Sequence, residues 1–119
     1  MYTYSFEKLE VWHLAKAFVV KIYITTGKFP SEEKFGMVSQ MRRAAISICS
    51  NLAEGSGRNT PKVQRHFYAM AYGSLMELLN QLIIAEALSW IDTDELTILR
   101  ADVETISIKI NSLRKSIKE

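Results

Sequence analysis

Leu96, Leu99, Val103, Ile106, Ile110, Leu113 and Ile117 alternate spacings of three and four residues without a break. A repeat averaging 3.5 residues keeps one apolar seam along one side of an α-helix, the pattern by which helices wrap into left-handed bundles. A strand cannot use it, because strand side chains change face at every residue. The seam therefore predicts a long helix that needs helical neighbours. Its start falls at Thr93, where Asp94 and Glu95 complement the positive end of the helix dipole.

Three further segments carry helical spacing. In the first, from about Phe6 to Thr26, Val11, Leu14, Ala15, Phe18, Val19 and Ile22 share one side and Glu10, His13 and Lys21 the other, with Ser5 as an N-cap and Gly27 as a stop. The second is expected to begin at Pro30 or Ser31, with Glu32 and Glu33 in its first turn, and to end near Gly55, where Gly55 and Gly57 can supply a positive φ. Thr60-Pro61 opens the third, a capping hydroxyl followed by proline in the first turn, and it reaches about Leu88. Residues 89–93 form the last link. Pro30 and Pro61, the only 2 prolines, lie between segments. The reading is all-α: one domain over residues 1–119, folded as an antiparallel up-down-up-down four-helix bundle. An apolar content of 48% with 24% charged residues supports a folded chain over a disordered one.

The third helix is apolar on more than one side. Phe67, Ala71, Ser74, Leu78, Leu82 and Ala85 define one face, and Tyr72, Met76, Leu79 and Ile83 a second at roughly 140° from it. Two readings stand: a subunit interface of a homo-oligomer, or a helix central to a compact bundle.

The second helix has a different peculiarity, an ordered polar stripe. Met37, Met41, Ala44, Ala45, Ile48 and Leu52 share its apolar face while Gln40, Arg43, Ser47, Asn51 and Glu54 line up beside it. Glu77 shares a side of the third helix with Met70, Ser74, Gln81 and Ile84. A carboxylate at the edge of an apolar face needs partners, so Gln40, Arg43, Asn51, Glu54, Ser74 and Glu77 are read as an interhelical polar network. The stripe can face a neighbouring helix, a neighbouring subunit or solvent.

Catalytic chemistry finds little footing. Glu10-Val-Trp-His13 has the spacing of one half of a di-iron site, but Val63 stands where the second copy would need glutamate before His66. Gly55-Ser-Gly-Arg58 follows a helix and lacks the Gly-Lys-Ser/Thr ending of a phosphate loop, so it reads as a helix stop. The single Cys49 has no partner for an intramolecular disulfide and reads as a packing thiol in a reducing compartment. No acid, base and nucleophile converge. The expectation is no enzyme, no metal site and no cofactor. No run approaches the ~18 apolar residues of a membrane span, and a cytoplasmic protein is expected.

Formal charge is only +2, from 15 Lys and Arg against 13 Asp and Glu. Its distribution is uneven. No acid occurs between Glu54 and Glu77, where Arg58, Lys62 and Arg65 stand with His66, and Lys109, Arg114, Lys115 and Lys118 follow Glu104. Solvated helix faces explain such runs, and so do basic patches for nucleic acid. Arg58, Lys62 and Arg65, with Arg42, are the candidate phosphate contacts.

At the residues already named the chain resembles the family of four-helix proteins encoded within intervening sequences of bacterial 23S rRNA genes. The match runs through Leu9-Glu-Val-Trp12, Phe29-Pro30, Gly36, Gln40 to Ile48, Asn51-Leu-Ala-Glu-Gly55, Gly57-Arg58, Phe67 and Ala71 to Glu77. The resemblance implies a four-helix bundle assembled as a ring-like homopentamer, without established enzymatic activity or cofactor. A similar branch, the accessory proteins of diversity-generating retroelements, is a basic pentamer that binds nucleic acid and a reverse transcriptase; the mild net charge departs from it. Two functions follow as expectations. One is an oligomeric RNA-binding module, in which repetition multiplies weak contacts. The other is a protein-interaction scaffold anchored by exposed Tyr68, Tyr72 and Trp90.

Overall fold

The protein is described here from a computed structural model covering residues 1–118. Four α-helices are present: α1 Glu10–Thr26, α2 Met37–Ser56, α3 Pro61–Ala87 and α4 Thr93–Ser116, with 3-10 turns at Ser5–Lys8 and Ser31–Glu33. Among the described residues there is no strand. Each helix packs on its neighbours in sequence, and α4 closes back onto α1. A single core runs through all four, with Phe18, Ile22, Met41, Ile48, Leu52, Leu75, Leu78, Leu82, Ile106 and Ile110 almost fully withdrawn from water. The seam of α4 supplies Leu99, Val103, Ile106 and Ile110 to it. One end is closed by Phe29 and Ile91, with Trp90 tilted over Phe29 at 5.3 Å between ring centroids.

Helix ends differ from the sequence reading in instructive ways. Thr60 caps α3 as expected, its hydroxyl accepting from the Val63 amide at 3.3 Å. Ser5 caps nothing; its hydroxyl meets Ser56 Oγ at 2.9 Å and Ser56 O at 3.3 Å, tying the chain start to the end of α2. The first helix is split, a 3-10 turn then α1 after Leu9, because Leu9 is extended (φ −82°, ψ 118°). The second helix starts six residues later than Ser31. Gly36 (φ −109°, ψ −110°) interrupts the run, and Glu33 Oε1 accepts from the first α2 amide, Met37, at 3.3 Å. Asp92, not Thr93, caps α4, accepting from Glu95 N at 2.7 Å.

Neither Gly55 nor Gly57 uses a positive φ. Gly55 sits inside α2 for a steric reason: a Cβ there would lie 2.7 Å from Tyr68 Cε1 and 2.9 Å from Phe67 Cβ. The glycine lets α2 and α3 approach. Among the described residues the one positive φ is at Ser89 (63°), where α3 ends with Ser89 N–H donating to Glu86 O and Trp90 N–H to Ala85 O, both 2.9 Å. That is a Schellman stop without its usual glycine. The two apolar faces of α3 also resolve. Tyr72, Met76 and Leu79 are half-buried against the core beside α4, and Ile83 stays exposed. Within one chain α3 is thus a central helix on most of its second face.

Candidate functional site

The stripe of α2 meets α3 along a ladder of polar contacts. Ser74 Oγ donates to Ser47 Oγ at 3.0 Å, and Asn51 Nδ2 donates back to Ser47 O and Oγ at 2.9 and 3.1 Å. One turn further along, Arg43 Nη2 stands 3.8 Å from Glu77 Oε2, and Gln81 Nε2 reaches the same oxygen at 3.4 Å. Gln81 is 5% exposed and its Oε1 has no partner. Arg43 and Glu77 are well exposed, so their pairing is a solvent-screened contact at the mouth of the groove. Glu54 turns along its own helix to Arg58 Nη2 at 3.3 Å, and Gln40 is exposed. Of the six residues grouped from sequence, Arg43, Asn51, Ser74 and Glu77 lie in the α2–α3 ladder; Ser47 joins the rungs and Gln81 extends them.

Arg42 is held elsewhere. Its Nε donates to Thr26 Oγ1 at 2.9 Å and its Nη2 to Tyr23 O at 3.1 Å, while the guanidinium lies over the Tyr23 ring at 4.4 Å. The cation satisfies a carbonyl at the C-terminal end of α1, where the helix dipole is negative. This geometry makes Arg42 a clamp between α1 and α2, so it is not counted among the phosphate contacts below.

The remaining candidates gather at one end of the molecule. Arg58 lies over the Phe67 ring at 4.8 Å, which orients a half-exposed guanidinium past the end of α2. Lys62 is exposed and Arg65 half-buried on the first turns of α3. The Ser5–Ser56 contact brings the chain start to this end, and Lys109 pairs with Glu10 at 2.5 Å, bringing the last turns of α4 there too. Lys8, Arg58, Lys62, Arg65, Arg114, Lys115 and Lys118 therefore lie toward one end, together with Glu7, whose carboxylate accepts from the Tyr4 amide, and with Glu10 and Glu54, each paired with a cation. The opposite end carries Glu32, Glu33, Glu86, Asp92, Asp94 and Glu95 against Lys28, Lys34 and Arg42; Lys28 pairs with Glu95 at 3.0 Å and Arg42 is held on the end of α1. The two basic runs of the sequence lie toward the same end.

The groups weighed for chemistry are otherwise engaged. His13 Nε2 bonds to Glu7 O at 2.7 Å. Among the described residues no three His, Cys, Asp or Glu are grouped as a metal ion would require, and no helix is long and apolar enough to cross a membrane. Burial pushes the Cys49 thiol up to about 11, against a smaller opposing pull from Lys16. Only about one thiol in a thousand is then ionised at pH 8, so Cys49 is expected to alkylate with iodoacetamide more than about 100-fold more slowly than free cysteine. A reaction half-maximal below pH 9 would contradict this. Of the three aromatic anchors expected on the surface, Tyr68 is 2% exposed, and burial raises its hydroxyl pKa. Its ring fills the space above Gly55. Tyr72 and Trp90 are half-buried.

The family model described as 23S rRNA-intervening sequence protein matches residues 7–112. No curated protein matches the chain.

Proposed function

The chain belongs to the 23S rRNA-intervening sequence protein family, and from that premise we propose that it is a non-enzymatic, cytoplasmic homo-oligomeric module that binds RNA through its basic end. The observation that carries the reading is the gathering of Arg58, Lys62, Arg65 and the α4 C-terminal cations at one end of a bundle whose other end is acidic. In the assembly the subunits form a ring of five, each an antiparallel up-down-up-down bundle. The topology is supported by contacts whose numbers run oppositely: Glu10–Lys109, Lys21–Asp102 and Lys28–Glu95 for α1 and α4, Ser47–Ser74 and Arg43–Glu77 for α2 and α3. Repeating the basic end in one particle raises the effective concentration of the second and later contacts, so each subunit's modest cluster suffices.

Titrating a labelled single-stranded RNA by fluorescence anisotropy at increasing salt tests this. With six or more phosphates engaged per particle, log K should fall against log salt with a slope of about −4 or steeper. Absence of binding at ~50 mM salt would overturn the RNA reading and favour a protein-interaction scaffold.

A further inference from the structure

We infer that the basic end takes unpaired nucleotides, whose bases stack on the exposed rings of Tyr2 and Tyr4 and on the Arg58 guanidinium. The inference rests on the RNA reading above and names the form of RNA that this end selects, strands with open base faces over duplex. Tyr2 and Tyr4 are 74% and 60% exposed. Their ring centroids stand 4.8 Å apart with 74° between the planes, an edge-to-face pair that leaves ring faces open to solvent. Tyr4 is held in place. Its amide donates to Glu7 Oε2 at 2.8 Å and its carbonyl accepts from Glu7 N at 3.1 Å, so the 3-10 turn fixes where the ring is presented.

Cations and rings alternate around this point. Ser5, next to Tyr4, meets Ser56 Oγ at 2.9 Å, and two residues beyond Ser56 the Arg58 guanidinium lies over Phe67. The Phe67 ring and Glu54 Oε2, at 3.3 Å, position that guanidinium while leaving it half exposed. Past Ser5 in the other direction, Phe6 meets Trp12 edge-on at 4.9 Å and Lys16 Nζ lies 5.3 Å from the Trp12 centroid. The carboxylates here are engaged, Glu54 by Arg58, Glu10 by Lys109 and Glu7 by the Tyr4 amide. Phosphates and base faces alternate along a single strand in the same way, and aromatic rings and guanidinium planes are the surfaces on which bases stack. A duplex hides its base faces in its own stack and offers phosphates, sugars and groove edges.

Fluorescence anisotropy at ~50 mM salt with a short unstructured RNA, alone and annealed to its complement, tests this. Charge alone favours the duplex, which carries more phosphates per unit length. Stacking reverses the order, and the single strand should bind at least about fivefold more tightly. Tyr2→Ser with Tyr4→Ser should weaken the single strand at least about tenfold and leave the duplex within about twofold. The salt slope for the single strand should not change, because no phosphate contact is lost. Tyr2→Phe with Tyr4→Phe keeps the rings and should bind like wild type, and a DNA strand of the same sequence, with the same base faces, should bind within about threefold. Phe35→Ser removes a ring that is 89% exposed at the acidic end and should change nothing. A duplex that binds as tightly as the single strand would overturn the inference, with RNA binding left standing. So would a Ser pair that weakens both forms alike or neither, a Phe pair that behaves like the Ser pair, a much weaker DNA strand, or an equal loss from Phe35→Ser. Absence of binding by either RNA form would remove the RNA reading as well.

Discussion

Reversing two cations at the basic end, Arg58→Glu with Lys62→Glu, is expected to lower RNA affinity by at least about 100-fold at 50 mM salt, since each phosphate contact there is worth close to a factor of ten. The slope of log K against log salt should also flatten by about 0.7 for every phosphate of the single strand that is no longer engaged. The same charge change at Lys28 and Lys34, which lie between α1 and α2 at the opposite end, is expected to leave affinity within about threefold. Anisotropy titrations of the two double variants against one RNA measure both. Equal weakening in the two would mean that RNA responds to net charge alone and that the clustered end has no special part.

The second large effect is structural. Gly55→Ala places a methyl 2.7 Å from the Tyr68 ring and 2.9 Å from Phe67 Cβ, and neither neighbour can step aside: Tyr68 is buried in the core and a Cβ is fixed to its backbone. Overpacking of this kind costs about 1–3 kcal/mol, or roughly 4 °C of melting temperature per kcal/mol at this chain length. Gly73→Ala is the internal comparison. Nothing lies within 4 Å of a Cβ there, on the outer side of α3, so removing a glycine from a helix interior should stabilise by up to ~1 kcal/mol. Thermal melts at one fixed protein concentration, which holds constant any contribution from the proposed assembly, should move in opposite directions. A Gly55→Ala melt that matches wild type would mean that α2 and α3 can separate without penalty.

The number of helices and the starts of α3 and α4 were legible because helical periodicity is a local property that the 3.5-residue seam and the Thr60-Pro61 cap write directly into the chain. Where the sequence reading missed, the deciding contact came from far along the chain. Gly55 and Gly57 look like a helix stop, yet Gly55 is there for Tyr68, thirteen residues on. Ser89 takes the positive φ without a glycine to advertise it, held by the Ala85 and Glu86 carbonyls. Arg42 and Arg43 are adjacent and alike on paper, and helix geometry turns one toward Tyr23 and the other toward Glu77. That the two basic runs share an end was equally invisible, because a linear charge count has no means of placing residue 115 at the same end as residue 58.

The separation of charge along the bundle has a consequence for how a partner meets this protein. The molecule is 45 Å long, while at physiological ionic strength electrostatic potential decays over about 8 Å. A polyanion arriving at the cationic end is therefore blind to the carboxylates at the far one. It meets a surface far more positive than a total of +2 suggests, and over such distances the total ceases to be a physical quantity that anything in solution can feel.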